Sequence, residues 1–191
     1  ILSFELSVFG QRVLVNSGTS CYNLGHERSR QRGTAAHNTV VVDGKNSSEV
    51  WASFRVARRA RPLEMEMVCE DSVKVVCSHD GYHHLPSKPT HKRQWLLAAN
   101  SLVIEDSVSG RFSHAEARFH LHPLVVLETL DGGLIGRIGL ENGRWLTWQV
   151  EIGELVIEKS SYHPRFGVSQ PSLCLALHLF DGGSRIKFDW A

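Results

Sequence analysis

From Ser3 to Phe9 the chain alternates Phe4, Leu6 and Val8 against Ser3, Glu5 and Ser7, the period-two signature of a half-buried strand. Gly10-Gln11 then supplies a two-residue turn into Arg12–Val15, which predicts a hairpin. The same alternation predicts strands over Thr39–Val42, Val50–Ala57, Leu63–Cys69, Val73–Ser78, Arg93–Ala98 and Leu102–Val108. It continues over Ala115–His122, Val125–Leu130, Leu134–Leu140, Arg144–Val150, Glu154–Lys159, Leu173–Phe180 and Arg185–Trp190. Asp43-Gly44, Asn100-Ser101, Asp131-Gly132-Gly133, Glu141-Asn142-Gly143 and Asp181-Gly182-Gly183 carry turn chemistry at the joints. No window holds a sustained 3.6-residue apolar stripe. The expected fold is therefore all-β, a large antiparallel β-sandwich of about a dozen strands. Residues 1–191 read as one domain, and their irregular strand spacing argues against a propeller or solenoid.

Composition narrows the partners. With 42% hydrophobic and 21% charged residues the chain can bury a core. Its formal charge is only +1, so no global field draws it to nucleic acid or an anionic bilayer. No apolar run approaches the roughly 20 residues of a membrane span. Cys21, Cys69, Cys77 and Cys174 form no Cys-x-x-Cys pair, which argues against a thiolate zinc site or a redox motif. They read as small hydrophobes. The chain opens inside an alternating strand, without Met, and so reads as a fragment of a longer protein.

Two stretches interrupt the alternation: a polar loop from Ser17 to Ala36 and a shorter one from Gly81 to Thr90. Long structureless loops in compact domains are usually functional or mobile. Eleven histidines are present, but not in a zincin or zinc-finger pattern. His178 reads as a satisfied core residue, and His83, His84 and His91 lie in or beside the second loop. His120 and His122 are expected on one sheet face. His37 stands apart, where the polar loop meets an apolar strand. A side chain there is held by the sheet yet faces the loop, as a ligand or proton-transfer group requires.

The run Arg-Gly-Thr-Ala-Ala-His-Asn-Thr-Val-Val-Val-Asp-Gly (32–44) follows Ser-Gly-Thr-Ser-Cys-Tyr-Asn and precedes Ser-Ser-Glu-Val-Trp. This pattern resembles the C-terminal β-sandwich of heparinase II/III family proteins. Leu-Ser-Phe-Glu-Leu near the start and Arg-Phe-His-Leu-His-Pro later fit the same family, and Ala-His-Asn-Thr-Val-Val-Val-Asp-Gly is the most specific block. The resemblance implies a polysaccharide lyase that cleaves uronate-containing glycans, heparin/heparan- or alginate-like, by β-elimination. It also implies an N-terminal α/α toroid in the same protein and a bacterial periplasmic or secreted location.

Residue by residue, the resemblance places Tyr22 near the active-site tyrosine of an alginate-type relative. It implies one structural zinc, with His37 as a ligand and Asn16 at a position the family gives to Asp. The third ligand belongs to an upstream His-x-His-x-Asp-like stretch, so the set is incomplete here, and an amide lacks the carboxylate's charge. Arg28 and Arg32, in the polar loop, are the expected contacts for substrate carboxylates, because guanidinium forks match carboxylates bidentately. Arg55, Arg58, Arg59 and Arg61 are interleaved with glutamates and read equally well as a solvated face. The alternative is a non-catalytic carbohydrate-binding or structural module that kept the sandwich and lost the chemistry.

Overall fold

A computed structural model describes residues 1–191. Two antiparallel sheets carry most of the predicted strands. One has eight strands, in the order β11 (Val126–Leu130), β12 (Ile135–Gly139), β13 (Trp145–Ile152), β16 (Gly183–Trp190), β9 (Ser101–Ser109), β8 (Thr90–Ala98), β7 (Val73–His79) and β6 (Pro62–Cys69). The other has four, in the order β14 (Glu154–Tyr162), β15 (Gln170–His178), β10 (Ala115–His120) and β3 (Val40–Val42). Two small hairpins flank them: β1 (Leu6–Val8) with β2 (Gln11–Leu14), and β4 (Val50–Trp51) with β5 (Arg55–Val56). No helix is long and apolar enough to cross a membrane.

The alternation read from the sequence becomes the inner faces of the sandwich. On β10, Ala115, Ala117 and Phe119 point inward and Glu116 and Arg118 do not. Ile186 and Phe188 of β16, Leu146 and Trp148 of β13, and Leu102 and Ile104 of β9 meet them in one core cluster of 23 buried residues. Phe119 and Phe188 join the two sheets edge to face, with centroids 6.0 Å apart, a geometry worth about 1 kcal/mol beyond its area.

Several expectations need correction. The first turn is Phe9-Gly10, because Val8 pairs with Gln11. Both turn residues have positive φ, at 52° and 77°, as a type I′ turn demands of its two central positions. The segment expected as a polar loop over 17–36 contains a seven-residue helix, α1 (His26–Arg32), and a 3-10 turn over Thr34–Ala36. Val50–Ala57 folds back on itself as β4 and β5 rather than forming one strand. Only Cys77 and Cys174 are buried; Cys69 is exposed, and all four cysteines are free. His91 lies on a strand and is fully buried. His178 is half-buried, and its Nδ1 has no hydrogen-bond partner. His120 is buried, whereas His122 is only partly covered.

Candidate functional site

The first strands, α1 and the Ala-His-Asn turn converge at one end of the four-stranded sheet. α1 has no side-chain N-cap and no apolar stripe, so an isolated peptide of this length would not be helical. Tertiary bonds hold it. Glu27 in the first turn pairs with Arg30 at 2.6 Å, a favourable arrangement along the helix dipole. Arg30 continues to Ser161 Oγ and to His163 Nε2 at the end of β14. Gln31 donates to Ser20 Oγ and Glu27, and accepts from the Ser20 amide. The Arg30 partnership keeps the Glu27 carboxyl at about 2, well below the ordinary range.

Arg28 and Arg32 fasten α1 to the β4–β5 hairpin. Arg28 Nε donates to the Ser53 carbonyl at 3.0 Å, and Arg32 donates to the carbonyls of Trp51, Ala52 and Arg55. The Arg28 guanidinium lies 5.0 Å over Tyr22 and 5.8 Å over Phe54. Its Nη groups make no hydrogen bond within the protein, whereas both Nη groups of Arg32 are occupied. Tyr22 is half-exposed, with Phe166 5.4 Å and Phe54 5.7 Å from it, centroid to centroid. The result is an exposed aromatic surface laid over the guanidinium of Arg28, a residue itself only 8% exposed. Exposed apolar patches rimmed by polar groups mark binding sites. Phe54 and Phe166 come from separate turns, and nothing in the sequence pattern brought them to Tyr22.

Asn16 and His37 also meet. His37 Nδ1–H donates to Asn16 Oδ1 at 3.1 Å, and the same oxygen accepts from Ser3 Oγ at 2.6 Å. Asn16 Nδ2 donates to Glu5, which is itself paired with Arg12. Burial lowers the His37 pKa, which favours the neutral imidazole. This geometry leaves one imidazole nitrogen, Nε2, open. Asn16 offers only a neutral amide whose Oδ1 already accepts two hydrogen bonds, a poorer match to zinc than a carboxylate. No hydrogen bond or ring contact joins Tyr22 to His37 or Asn16.

The turn that carries His37 is held from beneath by a buried polar chain the sequence pattern did not reveal. Asn38 is fully buried; its Nδ2 donates to the Phe4 carbonyl and its Oδ1 accepts from the His120 amide. Its own carbonyl accepts from Arg93 Nη1 at 2.6 Å. Arg93 forks onto Asp106 at 2.7 and 2.8 Å. His91 Nε2–H donates to Asp106, His79 Nε2–H donates to His91 Nδ1, and the Gly81 amide donates to His79 Nδ1. The direction of each bond sets the tautomers, and both histidines are neutral. Burial lowers His79 to about 2 and lowers His91 as well. Burial alone would raise Asp106, but the Arg93 charge and the His91 hydrogen bond hold it at about 2. His120, whose Nε2–H donates to the Ala35 carbonyl, is lowered by burial to about 4.

The comparisons with known proteins agree with this architecture. Residues 1–189 match the sequence profile of the family described as heparinase II/III-like, C-terminal, and the chain belongs to that family. Among solved structures it is similar to the heparan sulfate lyase HepC from Pedobacter heparinus, with a TM-score of 0.78 at 16% identity. It is also similar to the heparinase III-BT4657 gene product, with a TM-score of 0.74 at 17% identity. The likeness covers 98% of this chain but only 30% and 29% of those chains. No curated protein sequence matches it. The family is one of polysaccharide lyases, and this chain spans about 30% of the length of the lyases it resembles.

Proposed function

We propose that the chain is the β-sandwich domain of a polysaccharide lyase that cleaves an anionic, uronate-containing glycan by β-elimination. In that reading an N-terminal α/α toroid forms the other wall of the cleft, and the protein works in the periplasm or outside the cell. The observation that carries the reading is the family profile over nearly the whole chain, joined to an exposed Tyr22 whose ring covers the Arg28 guanidinium.

β-Elimination needs a neutralised C5 carboxylate, a base for the C5 proton and an acid for the leaving oxygen at C4. The Nη groups of Arg28 make no hydrogen bond within the protein and suit the carboxylate where the largely buried side chain reaches the surface. The Tyr22 hydroxyl suits proton transfer, and Phe54 and Phe166 suit the apolar faces of neighbouring sugar rings. Arg32, with both Nη groups on hairpin carbonyls, serves the site by holding α1 to the hairpin. His37, kept neutral and anchored by Asn16, suits a hydrogen bond to substrate or a structural clamp on the turn.

A second reading keeps the binding surface without the chemistry. It draws support from Asn16, an amide where the family has a carboxylate. Both readings are tested on the full-length gene product with heparan- and alginate-type glycans, by following the absorbance of the unsaturated uronate product. The lyase reading expects turnover that falls by roughly 10²–10⁴ in Tyr22→Phe, with binding retained. Binding without product in the wild type would establish the module instead.

A further inference from the structure

Near the opposite end of β10 from His120, three ligand-type side chains meet outside the surface described above. His114 Nε2 stands 3.4 Å from Glu116 Oε2, and His178 Nδ1 stands 3.9 Å from the same oxygen. All three atoms lie within 4.8 Å of one another. We propose that His114, Glu116 and His178 form a binding site for a divalent transition-metal ion, with zinc the best match to two imidazoles and a carboxylate.

The fold explains why these residues converge. Glu116 pairs directly with His178 across β10 and β15, so their side chains share the outer face of the four-stranded sheet. His114 is two residues before Glu116 and therefore emerges on the same side. Asp43 Oδ1 accepts from the backbone amides of Ser113 and His114 and pins the chain there. Glu154 of β14 is in register with His178 from the other side, which brings a further carboxylate to the same row. The site is about 13 Å along β10 from His120, four residues at the usual strand rise.

Three physical features favour a metal over an ordinary polar cluster. Donors about 2.1 Å from a tetrahedral ion stand about 3.4 Å apart, and the His114–Glu116 pair, already hydrogen-bonded to each other, has that separation. The His178 Nδ1 atom is buried without a hydrogen-bond partner, an unsatisfied state that native structures rarely leave unused. Its lone pair would complete the set. Lastly, Glu116 is already oriented: its Oε1 accepts from Arg118 Nη1 at 2.5 Å, which leaves Oε2 toward the histidines. Supporting hydrogen bonds of this kind fix first-shell carboxylates in metal sites. The Arg118 charge opposes a cation, but Glu116, Glu154 and Glu158 outnumber it, and Glu158 also accepts from Arg118. The inference does not depend on the carbohydrate reading.

The test is zinc titration of the 191-residue chain by calorimetry, with equilibrium dialysis and metal analysis for stoichiometry. The variants are His114→Ala/His178→Ala, Glu116→Gln and, as a control at the other imidazole, His37→Ala. The expected result is one zinc bound at micromolar free metal, retained by His37→Ala and lost by the double variant. Glu116→Gln should weaken binding by more than the roughly 10–100-fold that loss of a supporting group costs. Thermal unfolding without zinc should be nearly unchanged in His114→Ala alone, whose side chain is half-exposed, and zinc should raise the wild-type midpoint by mass action. Absence of binding at micromolar zinc overturns the proposal. So does a stoichiometry that survives the double variant or disappears in His37→Ala.

Discussion

Asp106→Asn is the sharpest test of how the Ala-His-Asn turn is held. The Arg93 side chain is fully buried and spends its donors on Asp106, the Asn38 carbonyl and the Leu2 carbonyl. Asparagine keeps an acceptor for His91, but it removes the only carboxylate bonded to Arg93 and turns an amide donor toward the guanidinium. Breaking one partner of a buried ion pair costs about 3–5 kcal/mol, because the remaining charge cannot be hydrated. With a urea slope of about 2.5 kcal/mol/M for a chain of this size, 4 kcal/mol is about 1.6 M in the midpoint. The assay is urea unfolding followed by tryptophan fluorescence. Arg93→Met/Asp106→Asn should lose less than the sum of the two single variants, since no uncompensated charge then remains. A single-variant shift below about 0.4 M, near 1 kcal/mol, or strict additivity in the double variant, would refute the reasoning.

Other predictions follow from the same geometry. Histidines with lowered native pKa bind more protons when unfolded, so their stability is fully present above about pH 6.5 and declines below it. His79, at about 2, and His120, at about 4, should each cost about 2 kcal/mol between pH 7 and pH 5. A urea midpoint equal at the two pH values would contradict their buried neutral state. Gly18 has φ +76°, and a Cβ there would lie 2.2 Å from the His163 carbonyl oxygen. Gly18→Ala should therefore cost roughly 2–4 kcal/mol, read as a fall in the thermal midpoint; an unchanged midpoint would mean that the Gly18–His163 bridge does not form. Asn16→Asp places a carboxylate against His37 and Glu5. The His37 pKa, followed by NMR titration, should rise by about one pH unit or more; a constant value would separate the two side chains.

Tyr22, Arg28, Arg32, Asn16 and His37 were all readable as candidates, but their roles were not equally so. A loop rich in arginines suggests anion binding, and the sequence offers no way to know which guanidinium spends its donors on carbonyls. Arg32 spends both Nη groups on hairpin carbonyls, whereas Arg28, one helical turn earlier and buried under Tyr22 and Phe54, uses only its Nε. Phe54 and Phe166 lie far from Tyr22 along the chain and join it only through the packing of three turns. His91 and Asp106 look like ordinary strand residues in the alternation. Their partnership with Arg93 depends on β8 and β9 lying side by side in register, with Arg93 opposite Asp106.

What the sequence alone determined is the part governed by local physics. Side-chain alternation with period two specifies which residues face inward on each strand, and Gly, Asn and Asp at the joints specify where strands end. From these came the all-β class, the antiparallel sandwich and most strand positions. The tertiary structure decided whatever depends on neighbours distant in the chain. It ordered eight strands against four, stabilised a helix too short to signal itself, and gave buried charges their partners. It also brought Glu116 and His178 into one row from strands about 60 residues apart. A pleat repeats every two residues and is legible locally, whereas a contact between strands depends on a register that no single segment contains.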